Sequence, residues 1–190
     1  MNRLLIRRER QARLDKLSML IGSFFSAVGK QLISYFSTWD PNLDEIRQEL
    51  GVTSDWSDSE FLAVREPLSR YQYELEVSGA GFETLREFLS ERTDLMLRLL
   101  ENPNLLEHTA FTNLLRAVFH LAEELAARDD LMQLPDTDCA HLTGDAKRAY
   151  RLLVYRWMDH MKYLKDNYPY LFSLAMRTNP LRESASPVVT

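Results

Sequence analysis

From Leu14 onward the apolar residues Leu14, Leu17, Ile21, Phe24, Val28, Leu32, Tyr35 and Trp39 recur at steps of three or four. That period is one face of a helix, and it predicts a single helix from about residue 3 to 38. At about 1.5 Å per residue it would run ~54 Å, longer than a compact domain of this size. Ahead of Leu14 the stripe fails, because Arg3, Arg7, Arg8, Arg10 and Arg13 leave too little apolar surface to bury. Those first turns are expected to project beyond the core. On another face Ser18, Gly22 and Ser26 fall four apart, a strip that would let a neighbouring helix approach closely.

Asp40-Pro41 stops the first helix and can cap a short second one, which Gly51 ends. Ser57 with Glu60 forms a capping box for a third helix, and Pro67 is expected to kink or end it after about Glu66. Tyr73, Leu75 and Val77 alternate with Glu74 and Glu76, but a lone strand builds no sheet, so this stretch reads as a helix end or extended linker. A fourth helix is expected over about Phe82 to Glu101. A fifth starts at Asn104 or at a Thr109 cap and lines up Phe111, Leu114, Val118, Leu121 and Leu125. A sixth, capped by Thr143 or Asp145, runs to about Asn167 with Ala146, Tyr150, Leu153, Trp157, His160 and Leu164 on one side. Pro169 breaks it before a last apolar turn or two, Leu171 to Met176. The expected fold is all-α: a helix bundle of four long helices with two or three short ones and a long projecting N-terminal helix. It divides into a basic extension over residues 1–13, a bundle over 14–178 and a loosely held tail over 179–190.

Composition agrees with this pattern. Only six glycines occur, and Leu, Ala, Glu and Arg outweigh Val, Ile and Thr, a helix-forming balance. The hydrophobic share of 45% and charged share of 27% are those of a folded domain in water. Cys139 is the single cysteine and can form no internal disulfide, so no oxidising compartment is required. The net charge of −5 argues against a nucleic-acid partner. Its distribution is uneven. Residues 1–16 carry Arg3, Arg7, Arg8, Arg10, Arg13 and Lys16 against Glu9 and Asp15, whereas residues 40–94 carry fourteen acids against five bases. No run of ~18 consecutive apolar residues occurs, and Met1 to Ile6 lacks the order of a secretory signal, so the chain as written is expected to be neither inserted nor exported.

Candidate chemistry is sparse. His120, Glu123 and Glu124 share one flank of the fifth helix, yet His120 falls off its apolar face. Metal sites in bundles use Glu-x-x-His pairs, and none of the four histidines has one. No metal and no cofactor is therefore assigned. His160 sits within the apolar stripe and reads as a satisfied core histidine, with a ligand or catalytic role as the rival reading. His108 and His141 fall near helix ends, and Asp138-x-x-His141 would hold a cation only weakly. Gly79-x-Gly81 resembles the start of a dinucleotide fingerprint, but Thr84 stands at the third glycine and no βαβ unit follows, so a loop feeding a helix is expected. P-loop, H-E-x-x-H and G-x-S-x-G patterns are missing. The aromatic run from Tyr150 to Phe172 reads as core, with Tyr155, Tyr163 and Tyr168 left for the surface.

The segments "RRERQARLDKLSMLIGSFFSAVG", "LLRLLENPNLLEH", "LLRAVFHLAEELAAR" and "KDNYPYLFSLAMRTNP" together resemble an uncharacterised family of bacterial and archaeal proteins. In that family a transmembrane segment leads directly into a helical cytosolic domain. The resemblance runs from Arg7 to about Pro180 and implies no activity, cofactor or active site. It implies that the arginines of residues 3–13 lie just inside a membrane, as the positive-inside rule places them, although this chain has only a stub before them. The function expected is a non-catalytic cytosolic module for protein interaction or signal relay near the membrane. Arg3, Arg7, Arg8, Arg10, Arg13 and Lys16 would touch an anionic surface, and a protein partner or self-association is expected. The alternative is a small-molecule or metal-binding enzyme with its site around His160.

Overall fold

The computed structural model describes residues 2 to 188, with side chains from Leu4 onward. The Arg3 side chain, named above as a membrane contact, lies outside them. The described residues are all-α, with no strand among them.

The chain opens with α1 (Asn2–Phe24), which passes through a π-turn (Phe25–Gly29) directly into α2 (Lys30–Trp39). The expected long rod is therefore present, with one irregularity that shifts its buried face. Phe24 and Phe25 are both fully covered, and beyond them Val28, Leu32, Ile33 and Phe36 are buried while Tyr35 and Trp39 are only partly so. Adjacent residues on a regular α-helix point about 100° apart, and a wider turn lets two consecutive rings enter one core. Gly29 makes this fit: a Cβ there would lie 2.5 Å from the Phe25 ring and 3.0 Å from that of Phe24. The Ala27 carbonyl accepts a hydrogen bond from Arg92 Nε at 2.8 Å. By length and composition the helix from Leu4 to Trp39 could cross a membrane, and one third of its most apolar window is buried within the bundle.

After Trp39 the chain makes a single 3-10 turn (Leu43–Glu45) where a short α-helix was expected. Asp40 accepts from the Asn42 backbone N–H at 3.0 Å and from the Tyr71 hydroxyl at 2.6 Å. The Ser57–Glu60 capping box opens α3 (Asp58–Ala63) as expected. The break comes at Val64, and Pro67 falls in the first turn of α4 (Arg65–Arg70), where its missing N–H costs nothing. Residues 71–78 form a linker without helix or strand, extended at Tyr71 and Ser78 and joined to the rod by the Glu76 N–H donating to the Trp39 carbonyl at 2.8 Å.

The expected fourth helix is two, α5 (Gly79–Ser90) and α6 (Thr93–Leu100). Arg92 leaves helical geometry between them, and its guanidinium reaches the carbonyls of Ala27 and Phe88, each at 2.8 Å. This tertiary clamp replaces local continuity. A four-residue α7 (Pro103–Leu106) precedes α8 (Thr109–Ala126), whose first turn is capped by His108 Nδ1 accepting from the Phe111 N–H at 3.1 Å.

The last long helix, α9 (Asp136–Asn167), begins well before the caps expected at Thr143 or Asp145. Pro135 precedes it and Asp136 and Asp138 occupy its first turn, where carboxylates face the positive end of the helix dipole. Gly144 sits in mid-helix with open space around it, at an intrinsic cost of about 1 kcal/mol that the packing offsets. Pro169 then opens α10 (Pro169–Arg177). Among the described residues the long helices are three, not the expected four: the rod, α8 and α9, with α9 at the centre against α1, α2, α3, α8 and α10.

The start of the expected loose tail is pinned. Asn179 is fully buried: its Oδ1 accepts from the Trp157 indole at 2.9 Å and from the Leu181 N–H at 3.2 Å, and its amide donates to the Leu50 carbonyl at 3.1 Å. Leu181 is buried beside it. Buried polar groups are as a rule hydrogen-bonded, and here both the amide oxygen and the amide nitrogen have partners.

Candidate functional site

Three places carry the residues singled out in the sequence. The first is the outer part of α1. Arg7, Arg8, Arg10, Arg13 and Lys16 are all exposed. Arg13 makes a loose 3.4 Å pair with Glu107, itself exposed. Just ahead of them Leu4, Leu5 and Ile6 are 69%, 53% and 57% exposed. Burial begins only at Leu17, since Leu14 is also exposed, so the projecting stem is longer than expected.

The second place is a groove of about 580 Å³ between the rod and the α9–α10 corner. Ser18, Gly22 and Ser26, the strip expected to receive a neighbouring helix, form one wall, and Leu171 and Leu174 of α10 line it too. His160 lies against the rod within it. Its ring stacks on Phe25 at 5.2 Å with an interplanar angle of 16°, and Trp157 flanks it at 5.9 Å. Burial lowers its pKa to about 4, so the imidazole is neutral near pH 7. Among the described residues no carboxylate pairs with it. The hydroxyls of Ser18 and Ser23 donate back to the carbonyls of Leu14 and Met19, at 2.8 and 2.9 Å. Lys30, its pKa lowered by burial, donates to the Thr178 hydroxyl at 2.6 Å across the far end. His160 is buried, as its place in the apolar stripe implied, but the hydrogen-bond partner expected for it is not found among the described residues, and neither is a nucleophile–base arrangement around it.

The third place was read in the sequence only as separate pieces, His120 with Glu123 and Glu124 on one helix and Asp138 with His141 on the next, and no metal was assigned to either. His120 and Glu124 of α8 face His141 and Asp145 of α9. His120 Nε2 lies 3.7 Å from Glu124 Oε1 and 3.4 Å from Asp145 Oδ2, while His141 Nε2 lies 3.4 Å from Glu124 Oε2 and 3.5 Å from Asp145 Oδ2. Glu123 is exposed and stands apart from this set. The signal was present as two i,i+4 pairs, His120-x-x-x-Glu124 and His141-x-x-x-Asp145, which each put both side chains on one flank. A search for Glu-x-x-His passes over them. Moreover, a helix starting at Thr143 would have left His141 outside it.

Arg128 sets the register that joins the two pairs. It clasps Asp138 through Nε and Nη2, both at 2.6 Å, and reaches Glu124 through Nη1 at 2.8 Å. Its guanidinium thereby holds both carboxyls below their ordinary pKa range. The connection between α8 and α9 is anchored by buried Leu131 against Gly79, where a Cβ would come within 2.7 Å of the Leu131 carbonyl.

No solved structure matches the chain. Residues 13–177 match the family described as Uncharacterized protein MJ1433, C-terminal helical domain. The chain is also 42% identical over 173 residues to the Uncharacterized protein MJ1433 of the archaeon Methanocaldococcus jannaschii, an alignment covering 91% of this chain and 69% of that protein. The match takes in the π-turn, the groove and both histidine pairs, and with it the chain belongs to the family of the MJ1433 C-terminal helical domain.

Proposed function

We propose that the domain is a non-catalytic helical module that works at an anionic membrane surface, with α1 as the element that holds it there. One observation carries this reading: Leu4, Leu5 and Ile6 are consecutive and all exposed. Successive helical side chains point about 100° apart, so no single protein face would cover all three. A lipid phase surrounds a helix on every side and would. The bases that follow stand where phosphates would be, Arg7, Arg8, Arg10, Arg13 and Lys16 against Glu9 and Asp15. Each base near an anionic leaflet contributes on the order of 1 kcal/mol, so the surplus supplies several kcal/mol of salt-sensitive attraction. The stacking of neutral His160 on Phe25 favours a packing role for that ring.

Cosedimentation with vesicles tests the reading. At low salt the protein should pellet with phosphatidylserine-containing vesicles and remain in solution with pure phosphatidylcholine. Replacing Arg7, Arg8, Arg10 and Arg13 together by Gln should abolish pelleting. Equal recovery on neutral and anionic vesicles, or full binding by the quadruple variant, would refute the role given to the arginines.

A further inference from the structure

We infer that His120, Glu124, His141 and Asp145 form a binding site for one divalent transition-metal ion, with a ligand set suited to zinc. The geometry comes first. Zinc bonds of about 2.0–2.2 Å to imidazole nitrogen and carboxylate oxygen place neighbouring tetrahedral ligands about 3.4 Å apart. The four nitrogen–oxygen separations across the cluster run from 3.4 to 3.7 Å. His120, Glu124 and Asp145 offer ligand atoms within 4.8 Å of one another, a spacing that a bound ion would draw in. His141, half exposed and one turn before Asp145, lies beside both carboxylates and would swing in from the open side as the fourth ligand.

The second observation is Asp145 itself. Its side chain is 5% exposed, and its Oδ2, the atom facing both histidines, is buried without a hydrogen-bond partner. A buried carboxylate oxygen in that state carries a desolvation cost which a bound cation would offset. Its other oxygen is held by Arg148 at 2.9 Å, and Arg128 holds Glu124 at 2.8 Å. Outer partners of this kind fix ligating carboxylates in orientation. The acids are thus anchored and mostly covered, while the histidines are open to solvent.

Ligand chemistry chooses the ion. Two imidazoles with two carboxylates favour zinc or its neighbours cobalt and nickel over magnesium or calcium, which take oxygen alone. The pairs come from facing helices on either side of the connection at residues 127–135, so a bound ion would bridge α8 to α9 at the end that the Arg128 clasp already closes. The inference is independent of membrane binding, since these residues lie apart from the stem.

Titration of the full chain with cobalt(II) chloride at pH 7.5, followed by competition with zinc chloride, tests it. One equivalent of cobalt should bind and give the intense visible bands of a tetrahedral site, and zinc should displace it. His120→Ala and Asp145→Asn should each abolish the bands, and Glu124→Gln and His141→Ala should weaken binding by about 10-fold or more. Cys139→Ser should leave it unchanged. His120 and His141 are about half exposed, so the double variant His120→Ala/His141→Ala keeps the fold, as far-ultraviolet circular dichroism checks, and decides the matter if Asp145→Asn is unstable. Absence of saturable binding up to ~1 mM metal, or binding that survives the double histidine variant, overturns the assignment.

Discussion

The two halves of the opening rod share one helical axis and almost nothing else. From Phe24 to Phe36 it is a core element: Phe24 meets Phe111 edge to face at 5.3 Å, and Phe25 packs on Trp157 at 5.2 Å. From Leu4 to Lys16 it is mostly exposed, with local contacts such as Gln11 donating to Asp15 at 3.0 Å. Helix nucleation is the costly step and extension is nearly free for residues such as Arg, Leu, Gln and Glu. The buried half therefore nucleates, and the exposed half extends the same helix outward. Helical continuity is thus no evidence of burial, and a rod can serve as core at one end and as a reaching arm at the other.

Substitution should separate the halves. The largest effect is expected at Phe24→Ala, which empties a fully buried aromatic site and should cost about 3–5 kcal/mol, read as a fall in the denaturation midpoint. A loss comparable to that of an exposed residue would mean that the rod is held by something other than this cluster.

Next in size is an acid sensitivity set by His160. The fold favours its neutral form, so between pH 6.5 and about 4 the unfolded chain binds the extra proton. The stabilisation is fully present above pH 6.5 and is lost as pH falls toward 4, on the order of 3 kcal/mol in all. His160→Gln should flatten that part of the stability–pH curve. An unchanged slope would show that other groups govern it.

The smallest effect belongs to the outer half. Deleting residues 1–12 should change stability by no more than about 0.5 kcal/mol, because Leu4 to Ala12 are exposed. Unfolding on deletion would erase the distinction between the halves.

Periodicity revealed the helical class, the rod and its unburied start because these depend on local spacing alone. The Ser57 cap and Pro169 were legible for the same reason: each acts within one turn. What escaped depends on partners far away in sequence. Arg92 breaks a helix that contains no glycine or proline there, because its carbonyl partner Ala27 is 65 residues distant. Thr143 and Asp145 read as caps, yet α9 runs through both because Asp136, Asp138 and the Arg128 clasp set the start upstream. The π-turn moved the buried stripe onto Ile33 and Phe36 through the packing of two adjacent rings. The histidine–carboxylate cluster needed the α8–α9 register, which no spacing within either helix contains. His160 was legible as a core position, but its stacking on Phe25 was not.

The tie at Asn179 also bears on the order of folding events. Its bond to the Leu50 carbonyl spans 129 residues and its bond from the Trp157 indole spans 22. Closing so long a loop is entropically costly until the elements between are already in place, so the contacts between α8 and α9, which are near in sequence, come before it. The Asn179 junction is then expected to act as a late latch, closing after the α8–α9 pair and opening early on unfolding. Fluorescence of Trp157 would report that final step, and weakening the latch would speed unfolding while leaving the refolding rate nearly unchanged.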